Sequence, residues 1–162
     1  LGDSAAGFHA LEHGKPAETL VQRHLRPTAL LKEGRWLAQQ PEVHAVIDVT
    51  DGLVQDAGHL IERGPSGIDI WSDRLPVSHA LRDYCDAHGL TPNDFALYGG
   101  EDYELLIACK EDAVETVIKR FGQSMDRPLR GICRLVGGHM GVRVDGREPA
   151  STGFDHFHPR ET

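Results

Sequence analysis

The apolar run Val43-His44-Ala45-Val46-Ile47 leads into Asp48-Val49-Thr50-Asp51-Gly52, and an amphipathic pattern begins at Leu53. No other segment constrains the fold as much. Apolar and β-branched content predicts a buried strand over 43–48. The stripe of Leu53, Ala57, Leu60 and Ile61 predicts a helix over 53–63, closed by Gly64-Pro65. Between them stand two carboxylates three residues apart, a hydroxyl and a glycine. Burying such acids without a partner is costly. Two carboxylates at a strand-to-helix junction can instead hold a hard cation such as Mg²⁺ through oxygen. The helix start offers backbone N–H groups to a phosphate. The segment reads either as a metal-phosphate corner or as a helix start capped by Thr50 or Asp51.

The rest of the chain supplies partners for that unit. Helices are predicted over 4–13, 16–24 and 29–39, the last interrupted by Gly34. A half-buried strand is predicted over 67–71, and a helix over 76–88 closed by Gly89. Thr91-Pro92 marks a short helical turn, with Thr91 as cap and Pro92 at the first position. A strand over 103–109 and a helix over 111–121 follow, then strands over 132–136 and 141–144 and a hairpin-type turn at Asp145-Gly146. Helices and strands thus mix, which predicts an α/β (α+β) fold in which helices pack on one face of a mixed sheet. There is no internal repeat and no linker.

Charge narrows the function classes. Seventeen basic against 25 acidic residues give a net charge of −8, the wrong sign for a chain whose main task is binding nucleic acid. A small phosphate ligand fits if a divalent cation bridges it to carboxylates. No apolar run approaches a membrane span. The start, Leu1-Gly2-Asp3-Ser4, has neither the basic region nor the apolar region of a signal peptide and no initiator Met. The chain is expected to be cut from a longer protein. Cys85, Cys109 and Cys133 are odd in number and far apart; they are expected to be small core residues in a reducing cytoplasm.

Four further segments carry chemistry-bearing residues. Tyr98-Gly99-Gly100-Glu101-Asp102-Tyr103-Glu104 places two glycines before an acid pair at a strand mouth. It reads as a ligand approach or as a glycine turn followed by solvated acids. Gly153-Phe154-Asp155-His156-Phe157 offers two aromatics, as core anchors or as faces for a cationic heteroaromatic ligand. His9-Ala10-Leu11-Glu12-His13 matches H-x-x-E-H, a zinc-protease pattern. With no third ligand in view, an exposed polar helix face is the expectation. Gly2-Asp3-Ser4-Ala5-Ala6 has Ala6 where a nucleophile elbow needs glycine, which disfavours a serine hydrolase.

Taken in order, Leu1-Gly2-Asp3-Ser4-Ala5-Ala6-Gly7, Asp48-Val49-Thr50-Asp51-Gly52-Leu53 with Gln55-Asp56, Gly99-Gly100-Glu101-Asp102-Tyr103-Glu104-Leu105-Leu106, and Gly153-Phe154-Asp155-His156-Phe157 form a set. That set resembles the C-terminal part of the thiamine-monophosphate kinase family, in the superfamily of aminoimidazole-ribotide synthetase and selenophosphate synthetase. The likeness spans essentially the whole chain. It implies an ATP-dependent kinase that converts thiamine monophosphate to thiamine diphosphate with several Mg²⁺ ions. It implies Asp48 and Asp51 as Mg²⁺ ligands, Thr50 as a contact to the nucleotide phosphates, and Glu101 and Phe157 as substrate contacts. No catalytic residue is named by it. Thr50 departs from the serine common at this place but keeps the hydroxyl, and Phe8 is bulkier than the expected aliphatic residue. Members carry an N-terminal domain with most ATP and metal contacts, which also forms the dimer. Residues 1–162 are therefore expected to be one C-terminal domain of a cytoplasmic homodimer, catalytically silent alone, with a small-molecule substrate and neither nucleic acid nor membrane as partner. A sister ATP-dependent synthetase and a non-catalytic domain binding a phosphorylated metabolite are the alternatives.

Overall fold

The strand-to-helix junction is built as β1 (Val43–Val49) running into α4 (Leu53–Ile61) in the computed structural model, which describes residues 1–151. β1 pairs antiparallel with β3 (Glu104–Cys109), so Asp48 stands opposite Leu105 and Val49 opposite Glu104. A second ladder centres on β2 (Gly67–Ile70), antiparallel to β4 (Cys133–Val136) and parallel to β5 (Gly141–Val144). The α/β class and the mixed pairing are as the sequence predicts, with the described strands divided between two ladders. α4 joins them. Its Leu53, Val54, Ala57 and Ile61 share one core with Val49 and Leu106 of the first ladder and Ile68 and Ile70 of the second.

A second core lies under α1 (Asp3–Glu12), α2 (Glu18–Leu25) and α5 (His79–His88), filled by Ala6, Ala10, Leu20, Leu81, Tyr84 and Cys85. α1 and α2 meet backbone to backbone. A Cβ on Gly7 would stand 2.2 Å from the Leu20 carbonyl oxygen, so only glycine admits this approach. α3 (Leu31–Leu37) and α7 (Val114–Ser124) meet through Trp36 and Phe121, whose rings lie edge to face at 5.4 Å. α6 (Pro92–Tyr98) starts at Pro92 as expected, and Thr91 makes no side-chain cap bond. Among the described residues, no helix is long and apolar enough to cross a membrane.

Several expectations need correction. β1 is not buried throughout: His44, Val46 and Asp48 are exposed, while Ala45 and Ile47 are half-buried and Val49 is buried. A two-stranded ladder packed on one face shows the period-two alternation of any strand, whatever its apolar content. α3 begins at Leu31 rather than 29, and α5 begins at His79, where Ser78 accepts the Leu81 N–H at 3.1 Å. The sequence over 111–121 splits into a 3₁₀ turn, Glu111–Ala113, and α7. Only Cys85 is a core cysteine; Cys109 and Cys133 are half-buried. The Asp145-Gly146 turn has φ of 50° and 77°, and Val144 and Arg147 exchange both backbone hydrogen bonds. That is the primed turn an Asp-Gly pair favours.

The H-x-x-E-H helix face is not simply exposed. His9 is half-buried, with Nδ1 2.7 Å from the Tyr84 hydroxyl and its ring edge-on to Phe95. The His13 ring stacks on His9 at 4.1 Å, and its Nδ1 lies 2.8 Å from the His9 carbonyl oxygen. Burial, and then the neighbouring His13 and Lys15, hold the His9 pKa below its ordinary value. The unfolded chain therefore binds this proton more readily than the folded one, so stability falls as pH drops below about 6.5. The melting temperature is expected to fall between pH 7 and pH 5, and to fall less in His9→Gln. Parallel melting curves of the two proteins check this, and identical pH slopes would exclude it.

Candidate functional site

Gly52 opens α4 with φ 114°, in the region that favours glycine, and turns the chain sharply after Asp51. The turn is held from inside. Asp56, 2% exposed, accepts the Thr50 N–H at 2.9 Å and the Asp51 N–H at 3.1 Å. Burial pushes the Asp56 carboxyl up, the two N–H donors pull it down, and Asp51 pushes it up again. Ligand atoms of Asp51, Asp56 and His59 all lie within 4.8 Å of one another. Two carboxylates supply hard oxygen donors suited to Mg²⁺. The histidine nitrogen suits it less. Asp48 is exposed on the outer face of β1 and is not in that group. In the sequence Asp56 stands only as part of the Asp48–Asp56 motif. Its signal was there, because an acid three residues after Leu53 falls on the buried stripe of an amphipathic helix.

The glycine-acid segment crosses this turn at backbone distance. A Cβ on Gly100 would lie 2.3 Å from the Thr50 carbonyl oxygen. The Glu101 N–H donates to that same oxygen at 2.8 Å, and the Tyr103 N–H donates to the Val49 carbonyl at 2.9 Å. These bonds extend the β1–β3 ladder to the corner. Glu101 and Tyr103 have φ of 61° and 51°, a left-handed conformation that costs a non-glycine residue. The expectation of two solvated acids holds for Glu101 alone, whose side chain is 59% exposed. Asp102, between them, turns inward and accepts the Gly2 N–H at 2.6 Å and the Ser4 N–H at 3.4 Å. It sits at the N-terminus of α1, where a negative charge is favoured. Desolvation nonetheless pushes its carboxyl up, against the pull of those two N–H donors.

The first segment of the sequence joins the same place. A Cβ on Gly99 would stand 2.5 Å from that of Ala5, and one on Gly2 would stand 2.7 Å from the Ala96 nitrogen. Asp3 is buried, pairs with Arg23 and accepts the Ser78 hydroxyl at 2.7 Å. A cleft of about 180 Å³ opens beside Glu101, lined by Ser4, Arg23, Arg26, Glu101, Glu104 and Arg127 among others. Arg127 pairs with Glu104 at 2.5 Å. Of the residues singled out in the sequence, Thr50, Asp51 and Glu101 are thus brought together. Asp48 lies at the ladder edge nearby, and Phe157 lies outside the described residues. Arg23 and Arg26 on the cleft wall come from the run Arg23-His24-Leu25-Arg26 at the end of α2, a basic signal that the motif reading does not use.

The sequence and the fold have counterparts in known proteins. Thiamine-monophosphate kinase of Aquifex aeolicus (strain VF5) is 40% identical over 162 residues, covering 97% of this chain and 49% of its own length. The solved complex of AaThiL with AMPPCP and TMP superposes with a TM-score of 0.81 at 40% identity, over 97% of this chain and 48% of that one. Thiamine-monophosphate kinase from Stenotrophomonas maltophilia K279a superposes with a TM-score of 0.80 at 36% identity, over 91% of this chain and 48% of that one. The chain spans about half the length of the curated relatives it matches. The family model described as "AIR synthase related protein, C-terminal domain" matches residues 1–128. With three ordered motifs folded into one corner and a match over most of its length, this chain belongs to the AIR synthase related protein family as its C-terminal domain.

Proposed function

We propose that the protein carrying this domain is an ATP- and Mg²⁺-dependent kinase that phosphorylates thiamine monophosphate to thiamine diphosphate. The observation that supports it most is the lock between the Thr50 turn and the Gly100-Glu101 segment, made by the 2.8 Å bond from Glu101 N–H to Thr50 carbonyl. It sets a corner suited to phosphate and cation beside an exposed acid suited to a cationic substrate. Relatives named for this activity match almost the whole chain.

In this reading Asp48 and Asp51 hold Mg²⁺, with Asp56 shaping the turn beneath them. Bound there, Mg²⁺ would neutralise charge on the phosphates. Thr50 offers its hydroxyl to the nucleotide phosphates. Glu101 holds the substrate by its positive ring system, and Phe157 stacks on an aromatic ring of the substrate. A terminal phosphate oxygen of thiamine monophosphate attacks the γ-phosphorus of ATP, and ADP leaves. No covalent intermediate on this chain is required. Phosphoryl transfer is mostly positioning and charge neutralisation from several parts at once. The two aspartates and one hydroxyl here supply a share, and the N-terminal half supplies the rest together with the dimer contact. In this reading the whole protein works in the cytoplasm.

ATP-dependent formation of thiamine diphosphate, measured on this chain alone and on the chain joined to an N-terminal half, tests the proposal. Turnover is expected only in the joined protein. Its absence there, with binding of thiamine monophosphate retained, would make the domain a binding module.

A further inference from the structure

We propose that His24, at the end of α2, is a positioning residue that aims Glu101 at the substrate; the inference rests on Glu101 being a substrate contact. His24 Nδ1 lies 3.0 Å from Ser4 Oγ and 3.4 Å from a Glu101 carboxylate oxygen. The ring is 18% exposed, against 59% for the Glu101 side chain. Phe8 packs against it at a tilt, with ring centroids 5.4 Å apart. A ring held on two sides therefore touches an acid that is otherwise open to solvent. An exposed glutamate samples many rotamers, and each one lost on binding weakens affinity. A fixed ring beside it limits that loss before the substrate arrives.

The arrangement resembles a serine–histidine–acid set but cannot work as one. A relay needs the hydroxyl on one ring nitrogen and the acid on the other. Here both oxygens meet Nδ1. The Ser4 contact is a hydrogen bond that steadies the ring plane, and the Glu101 contact is an approach of ion-pair length. The Ser4 N–H in turn reaches Asp102 at 3.4 Å, one residue from Glu101. Ser4 thus ties the ring to the same loop whose acid it aims. The left-handed backbone at Glu101 points this side chain toward α2 rather than along the strand.

The test uses the protein joined to its N-terminal half, with kcat and KM for thiamine monophosphate at saturating ATP. His24→Ala is expected to raise KM about tenfold while kcat changes by less than about threefold. His24→Asn keeps a polar group where Nδ1 meets Ser4 and Glu101 and is expected to stay within about twofold of the parent, whereas His24→Gln moves that group to the Nε2 place and behaves like His24→Ala. The Asn and Gln pair keeps the test sharp if the alanine variant folds poorly. In a Glu101→Gln background, His24→Ala is expected to add less than about twofold, since the two residues act as one unit. An unchanged KM in His24→Ala beside a raised KM in Glu101→Gln overturns the role of His24 and leaves that of Glu101. Unchanged KM in both removes Glu101 as a contact, and the inference with it. An Asn variant as weak as Ala, or a full His24 effect without the Glu101 carboxylate, also overturns it.

Discussion

Asp51→Asn, in the protein joined to its N-terminal half, is expected to lower kcat by a factor of about 10² to 10³ while the fold stays intact. Asparagine keeps the size and one oxygen of aspartate but removes the charge. On the proposed reading, a cation held there would lose a hard anionic ligand, and the transition state would lose neutralisation worth roughly 3–4 kcal/mol. Stability should barely move. Asp51 is half-buried, and its charge pushes the buried Asp56 carboxyl up. Removing that repulsion offsets what the substitution costs elsewhere. Steady-state kinetics with a melting curve on the same sample checks both halves. Near-normal turnover would remove Asp51 from the site, and a collapse of the melting temperature would make it structural.

The second large effect belongs to Gly100→Ala. The added Cβ would sit 2.3 Å from the Thr50 carbonyl oxygen and 3.2 Å from its carbon. Both are backbone atoms, so no flexible side chain can move aside. Relief has to come from separating the corner of β1 from the start of β3, which breaks the Glu101 N–H bond to Thr50. Overpacking against backbone with loss of a backbone hydrogen bond costs about 2–4 kcal/mol. For a domain of this size that lowers the melting temperature by roughly 5–15 °C. Gly131→Ala is the control, because a Cβ there has no heavy atom within 4 Å. Equal melting temperatures for the two variants would show that the corner yields without cost. In the joined protein, Gly100→Ala should also weaken thiamine monophosphate turnover, since Thr50 and Glu101 no longer keep their spacing.

How much of this was legible in the chain differs from residue to residue. The Asp145-Gly146 turn and the Thr91-Pro92 helix start were readable because each depends on a few adjacent backbone angles. The strand-to-helix turn that carries Thr50 and Asp51 was readable because a strand, an acid pair and a helix start form one local unit. Asp102 was not. As sequence it is one of two adjacent acids, and only α1 arriving over it separates its role from that of Glu101. The exposure of His44 and Val46 was hidden too, since apolar content does not say how many layers cover a strand. The H-x-x-E-H spacing pointed to a helix face, but Tyr84, 75 residues away from His9, decides what that face does.

The chain by itself determined which segments become helix, strand or turn, and which carry oxygen donors, because propensity, periodicity and turn chemistry act over a few bonds. The tertiary structure alone decided which donors share a site. Gly100 meets Thr50 and Asp102 meets Gly2 across separations of 50 and 100 residues. Those meetings depend on close backbone packing at glycine, where a single Cβ would forbid the contact, and no local pattern encodes the partner on the other side.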